Sequence, residues 1–273
     1  MSIIIADINE QSVAKAFTKQ SVKFDDIYAG NTIVQYKRER VRNHVLQYLQ
    51  KNSSILELNS GTGEDAIFFA EQKHHVHATD IAAGMQEVLI QKVTNKRLTH
   101  WISTECCSFT RLHQLKNKGP YDLIFSNFGG LNCTNELDKV IANFESLLKP
   151  GGVVSLVIIS KFSLWESLLF FKGKWKTATR RFFNKDGRIA HIEGQYFNCW
   201  YYHPGFIVKR LKNNFEVLNI EGLCTIVPPS YLENFEQKHP SLYRFLKRQE
   251  NNLKQKWPWK YIGDYFILSM KKK

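Results

Sequence analysis

At 273 residues, 43% hydrophobic and 13% aromatic, the chain has the apolar content of one large α/β domain with an insertion and is not a disordered segment. Its formal charge of +13 fits either a well-solvated basic surface or an anionic partner: nucleic acid, an acidic small molecule or a phosphopantetheinyl carrier protein. No apolar run is long enough to span a bilayer, the N-terminus lacks the positive n-region of a secretory signal, and Cys106, Cys107, Cys133, Cys199 and Cys224 have no C-x-x-C spacing for a zinc site or disulfide framework, so a cytoplasmic, reduced, metal-free protein is expected.

Residues 10–50 read as helical, broken near Gly30-Asn31, with Phe24, Tyr28 and Tyr36 ahead of the first strand. Val41, Val45, Leu46, Tyr48 and Leu49 suit a helix lying on a sheet. Ile55 to Leu58 reads as a short buried strand running into the turn Asn59-Ser60-Gly61-Thr62-Gly63, followed by a helix over 64–73. Glycine lets the backbone pass close to a ligand, although Gly-x-Gly by itself fits an ordinary strand-to-helix turn equally well. A second strand, 75–80, closes on Asp80, 17 residues after Gly63. That is near the spacing at which a carboxylate accepts both ribose hydroxyls. A helix over 83–92 and strands over 100–104 and 121–125 come next. The loop Ser126 to Cys133 leaves the carboxyl end of the last of these, where open α/β sheets bind ligands, so Asn127, Phe128, Leu131 and Asn132 are expected beside cofactor and acceptor. Leu137, Val140, Ile141, Phe144, Leu147 and Leu148 form one helical stripe, ended by Lys149-Pro-Gly-Gly152, and Val153 to Ile159 reads as a central parallel strand.

In order and spacing, Glu57 to Gly63, Thr79-Asp80-Ile81, Tyr121 to Phe128 and Leu148 to Gly152 resemble the class I S-adenosylmethionine-dependent methyltransferases, over about residues 17–160. The one departure is Asn59, where the family's first motif has glycine; Asn is the other residue that readily takes positive φ. The resemblance implies a Rossmann-like α/β fold: a seven-stranded, mostly parallel sheet with an antiparallel last strand, helices on both faces and an insertion after strand five. It implies S-adenosylmethionine as cofactor and S-adenosylhomocysteine as product, at the carboxyl edge of strands one, two and four. Glu57, Asn59, Gly61, Thr62, Gly63, Asp80, Ile81, Asn127 and Phe128 would border it. Met85 would pack on the adenine, with Cys107 and Ser108 where the family often has an acid for the adenine amino group. Residues 1–50 would close the site as a cap through Tyr28 and Tyr36, with Arg40 meeting the methionine carboxylate.

Residues 161–203 interrupt the core, which comprises 51–160 and 204–273, and are expected to form a substrate lid. Trp165 and Trp200 are its candidate acceptor contacts. His191 and Glu193, at alternate strand positions, share a face; with Tyr201 they are the candidate general bases, and each also fits a purely structural role. The expected reaction is in-line methyl transfer to an O, N or C nucleophile of a small or carrier-bound acceptor of anionic or aromatic character. A nucleic-acid methyltransferase has the charge in its favour, but the Asn/Asp-Pro-Pro-Tyr/Phe loop of amino-directed base methylation is absent after strand four. An NAD(P) oxidoreductase would want the full G-x-G-x-x-G, and a non-catalytic cofactor-binding protein would keep the fold alone.

Overall fold

The apolar runs read as strands become the buried centre of one twisted sheet. The computed structural model describes residues 2–182 and 186–273; Phe183, Asn184 and Lys185, within the basic stretch of the insertion, lie outside the described residues. β1 (Ser54–Leu58), β2 (His75–Asp80), β3 (Ile102–Cys106), β4 (Tyr121–Ser126) and β5 (Leu148–Ile159) run parallel in the order β3-β2-β1-β4-β5. Leu56, Leu58, Ile124 and Leu156 are buried on one face, and Ile55, Leu123, Phe125 and Val157 on the other. Burial on both faces explains why these strands read as continuous apolar runs.

α3 (Glu64–Glu71) and α4 (Ala83–Asn95) follow β1 and β2, while the stripe predicted as one helix is split at Asn143 into α5 (Leu137–Ala142) and α6 (Phe144–Leu147). Leu148 already belongs to β5, so Lys149-Pro-Gly-Gly152 lies in a strand and not past a helix end. The third strand starts two residues later than expected, because Thr99 to Trp101 close the preceding turn.

After the insertion, α9 (Pro204–Leu211) leads to β8 (Phe215–Leu223), and α10 (Phe235–Lys238) and α11 (Pro240–Leu253) precede β9 (Tyr265–Lys272). β9 lies between β5 and β8 and is antiparallel to both. The last two strands are therefore an antiparallel pair at the sheet edge, as expected, with β9 inserted one place inward and β8 outermost.

α1 (Ser2–Ala29) is one long helix, and α2 (Thr32–Leu46) starts at Asn31, whose side chain accepts from Ile33 N and Val34 N. The insertion has two parts. The first holds α7 (Leu164–Leu168), a 3₁₀ turn and α8 (Trp175–Thr179). β6 (Arg188–Ile192) and β7 (Gln195–Cys199) make a separate hairpin packed on α1. The first part is pinned to the core by buried Arg181, which donates to the Ser160 and Asp264 carbonyls and to the carboxylates of Glu166 and Asp264.

Candidate functional site

The carboxyl ends of β1, β2 and β4 open into a cavity of about 330 Å³. Its floor is set by strained turns. Asn59 takes φ +48° and closes the gap between β1 and β4: its amide donates to the Asn127 carbonyl at 3.0 Å and accepts from Ser126 Oγ at 2.6 Å. A Cβ on Gly130 would lie 2.3 Å from Asn59 Cγ. Gly130 thus admits the Asn59 side chain, so the two residues that departed from or extended the motif depend on each other. Gly61 and Gly63 take φ +56° and +82°, and a Cβ on Gly63 would collide with Leu89. Gly63 shapes the turn from outside the cavity lining.

Asp80 ends β2 and accepts from Gly61 N at 2.9 Å and Ala82 N at 2.8 Å, holding the glycine turn and the start of α4 together. Burial raises its carboxyl above the usual range, and these backbone donors partly offset the rise. Glu57 is 3% exposed, and among the described residues no donor reaches its Oε2. Burial first, then the neighbouring Asp65 carboxylate, pushes Glu57 well above the ordinary carboxylate range, against the pull of Arg42 and Arg38. An orphaned buried carboxylate on a cavity wall calls for a cationic or N–H ligand group. Asp65 is already satisfied, by Arg42 at 2.7 Å and the Asn127 amide at 2.7 Å. Thr62, Ile81, Met85 and Phe128 complete the floor and near walls.

The roof comes from distant chain. Val13, Phe17, Phe24 and Tyr28 of α1 line it, with Ile192 of the β6–β7 hairpin. Asn9 clamps helix to hairpin: its amide donates to the carbonyls of Cys133 (2.8 Å) and Asn198 (3.2 Å) and accepts from Asn198 N (2.6 Å). Thr62 Oγ1 donates to Asp25 at 2.6 Å, tying α1 to the first glycine turn. A side wall is made by Lys37, Arg38, Ser230 and Tyr265.

Several expected site residues stand elsewhere. On α2, Val34, Lys37 and Arg38 share the face toward the cavity, so Tyr36 and Arg40 face away. The Tyr36 hydroxyl donates to Glu250 at 3.0 Å, and Arg40 pairs with Glu221 and Glu250. Ser108 donates to Glu10 and caps the next turn, while burial pushes the Cys107 thiol up to about 11; Phe109 takes the lining position. Leu131 is core. Asn132 bonds the backbone of Ile159 and the carbonyl of Trp200, and Trp200 itself is buried in the same core. Trp165 and Tyr201 lie outside the lining; the Arg181 guanidinium stands 5.1 Å over the Tyr201 ring.

His191 and Glu193 are both exposed to solvent, and only His191 lies on β6. Glu193 (φ +47°) and Gly194 form the hairpin turn, His191 is exposed and stacked on Tyr196 at 4.4 Å, and it is Ala190 and Ile192 that pack inward. One residue of register decides this, because strand side chains alternate. Accordingly, His191→Ala should change S-adenosylhomocysteine affinity by less than about 2-fold and unfolding free energy by less than about 0.5 kcal/mol, measured by calorimetry and urea titration. A tenfold loss of affinity would return His191 to the site.

Sequence reasoning missed Val13, Phe17, Lys37, Arg38, Phe109, Ile192, Ser230 and Tyr265. Val13-Phe17 and Val34-Lys37-Arg38-Val41 carry a helical spacing that could have shown two of these groups. Nothing local marks Ser230 or Tyr265. Lys73 to His77 offers no metal cage: His75 packs on Trp101 and His77 bonds Ser103 and Glu105, and among the described residues no group of three His, Cys, Asp or Glu is placed to hold a metal. Among them also, no helix is long and apolar enough to cross a membrane.

Residues 55–152 match a family described as a methyltransferase domain. The chain is 28% identical over 163 residues to the ubiquinone/menaquinone biosynthesis C-methyltransferase UbiE of Francisella tularensis subsp. holarctica, covering 56% of this chain and 61% of that one. It is 24% identical over 163 residues to the demethylmenaquinone methyltransferase of Listeria monocytogenes serotype 4a, covering 58% and 66%. This chain therefore spans less than two thirds of the length of either relative. Among solved structures, the Burkholderia thailandensis 1,6-didemethyltoxoflavin-N1-methyltransferase, with 1,6-didemethyltoxoflavin and S-adenosylhomocysteine bound, superposes with a TM-score of 0.57 at 13% identity, over 98% of this chain and 90% of that one. The geranyl diphosphate C-methyltransferase of Streptomyces coelicolor A3(2) gives 0.55 at 10% identity, over 86% and 79%. At such identities the structures share the fold.

Proposed function

We propose that the chain is a class I S-adenosylmethionine-dependent methyltransferase and that it transfers the methyl group of S-adenosylmethionine to an O, N or C nucleophile of a small, largely apolar acceptor. One observation carries this reading: a single cavity joins a polar floor at β1, β2 and β4 to an apolar roof made by α1 and the β6–β7 hairpin. When bound, the cofactor supplies a methyl group already activated on a sulfonium. The protein's task is to hold a nucleophile in line with it and keep water out.

On this reading Asp80 meets the ribose hydroxyls, Met85 and Ile81 flank the adenine, and Glu57 accepts from the ammonium of the methionine moiety. Arg38, whose Nε is buried without a partner among the described residues, takes the methionine carboxylate in place of Arg40. Residues 1–50 and the hairpin of the insertion act as the closing cap; α7 and α8 buttress it. No histidine lines the cavity among the described residues, and on this reading positioning and exclusion of water carry the reaction. The two relatives are named for ubiquinone/menaquinone biosynthesis and for demethylmenaquinone, which supports a small apolar acceptor. The α1 roof, which a polymer strand would have to displace, argues against nucleic acid.

The test is calorimetric titration with S-adenosylhomocysteine, followed by labelled methyl transfer into a metabolite extract and into RNA. Binding at sub-millimolar concentration and label in the metabolite fraction are expected. Absence of binding would leave a non-catalytic protein, and label in RNA alone would replace the acceptor class.

Glu57 adds a pH dependence with a definite sign. Its folded pKa is raised, so between the unfolded and folded values the native state holds the extra proton, and stability of the free protein falls as pH rises. A cationic ligand prefers the ionised carboxylate, so S-adenosylhomocysteine affinity should rise with pH through the same range. In Glu57→Gln that part of the pH dependence should vanish. An unchanged pH profile in the variant would remove Glu57 from cofactor binding.

A further inference from the structure

Lys37 is 2% exposed and lines the side wall of the cavity. Its ammonium donates to Ser230 Oγ at 3.1 Å and stands 4.7 Å over the Tyr265 ring and 5.4 Å over the Phe128 ring. Three other cations on α2 have carboxylate partners: Arg38 with Glu64, Arg40 with Glu221 and Glu250, Arg42 with Asp65. Lys37 alone of these four has none within 4.0 Å among the described residues. A buried ammonium with a single hydroxyl acceptor is under-satisfied, since it carries three donors and burial of an unpaired charge is costly. Two aromatic faces attract the cation through their quadrupoles but do not neutralise it. Its net charge therefore remains available to whatever fills the cavity.

Placement assigns that charge to the acceptor side. Tyr265 begins β9, which β1, β4 and β5 separate from β2 in the sheet, whereas Asp80 and Met85 mark the β2 end. We propose that Lys37 is the counter-charge of the acceptor, which enters with an anionic oxygen, carboxylate or phosphate, paired to the ammonium and its body against Phe128 and Tyr265. This deepens the methyl-transfer reading and rests on it for the word acceptor. Lys37 is then a specificity-determining residue, selecting acidic molecules from neutral ones of the same shape.

The experiment titrates the protein, saturated with S-adenosylhomocysteine, with benzoate, phenyl phosphate and the neutral isostere benzamide. In wild type at least one of the two anions should bind about 10-fold tighter than benzamide or better, and the tighter of them names the acid class. Lys37→Met keeps the stem and removes the charge; the preference should fall to within about 2-fold while S-adenosylhomocysteine affinity holds within about 2-fold. Lys37→Arg should keep the preference. Equal binding of benzamide and both anions to wild type, or an undiminished preference in Lys37→Met, overturns the proposal. So does a loss of S-adenosylhomocysteine affinity in Lys37→Met as large as the loss of anion affinity, which would hand Lys37 to the cofactor. Should Lys37→Met fail to fold, the wild-type anion-to-amide ratio and its retention in Lys37→Arg decide. If wild type binds no S-adenosylhomocysteine, the methyltransferase reading fails separately, and the same anion titrations on the free protein still report on Lys37.

Discussion

Glu250→Ala is expected to lower the free energy of unfolding by about 3–5 kcal/mol, the range for removing one partner of a buried charged network. Glu250 lies on α11 and is fully buried. It accepts from four successive backbone N–H groups, Cys224 (3.0 Å), Thr225 (2.9 Å), Ile226 (2.9 Å) and Val227 (2.8 Å), and from the Tyr36 hydroxyl and Arg40. The side chain therefore does for this loop what a strand partner would do. Alanine strands four donors and leaves the Arg40 guanidinium, itself nearly buried, with Glu221 as its one carboxylate beside the Tyr36 hydroxyl. Glu250→Gln keeps one carbonyl oxygen but turns an amide N–H₂ toward donors, so an intermediate loss is expected. Urea denaturation monitored by tryptophan fluorescence measures both. A loss below about 1 kcal/mol for the alanine variant would show that the loop finds other acceptors. The same loop carries Ser230 into the cavity wall, so the destabilised variant should also lose some ligand affinity.

Asp80→Ala should weaken S-adenosylhomocysteine binding about 10–100-fold, the equivalent of one or two charge-assisted hydrogen bonds. Two losses combine. The ribose loses a carboxylate acceptor, and Gly61 N and Ala82 N lose the group that sets the glycine turn. Asp80→Asn separates them, since its carbonyl oxygen still serves one of the two backbone donors while the ribose contact loses its charge. Calorimetry gives the affinity and thermal unfolding gives the turn's share. Wild-type affinity in Asp80→Ala would show that the cofactor does not use β2.

The sheet was legible because its strands are buried on both faces and bounded by turn residues; Asp80 and the Gly61-Gly63 turn were legible because ligand-binding turns constrain residue type. Asn59 illustrates the limit. Its positive φ could be expected, whereas its bridge to β4 and its dependence on Gly130 required knowing that β1 and β4 are neighbours. Tyr36 and Arg40 were misplaced because α2 has two occupied faces, one on the cavity and one on α11, and both carry aromatics and cations. His191 and Glu193 failed by a single step of strand register. Lys37, Ser230 and Tyr265 come from three remote segments, and no local pattern announces a meeting that only the closed sheet arranges.

The position of β9 has a consequence for how the protein is made. Among the described residues it is the last strand in chain order, yet it is hydrogen-bonded on both sides, to β5 and β8. Until Tyr265 and the residues after it leave the ribosome, the long apolar edge of β5 is open throughout synthesis of the insertion and everything up to Asp264. An open edge of this kind is a template for pairing with other chains. Until β9 slots in, the nascent polypeptide carries that edge uncovered. A messenger truncated just before Tyr265 should yield an aggregate and not a smaller working protein.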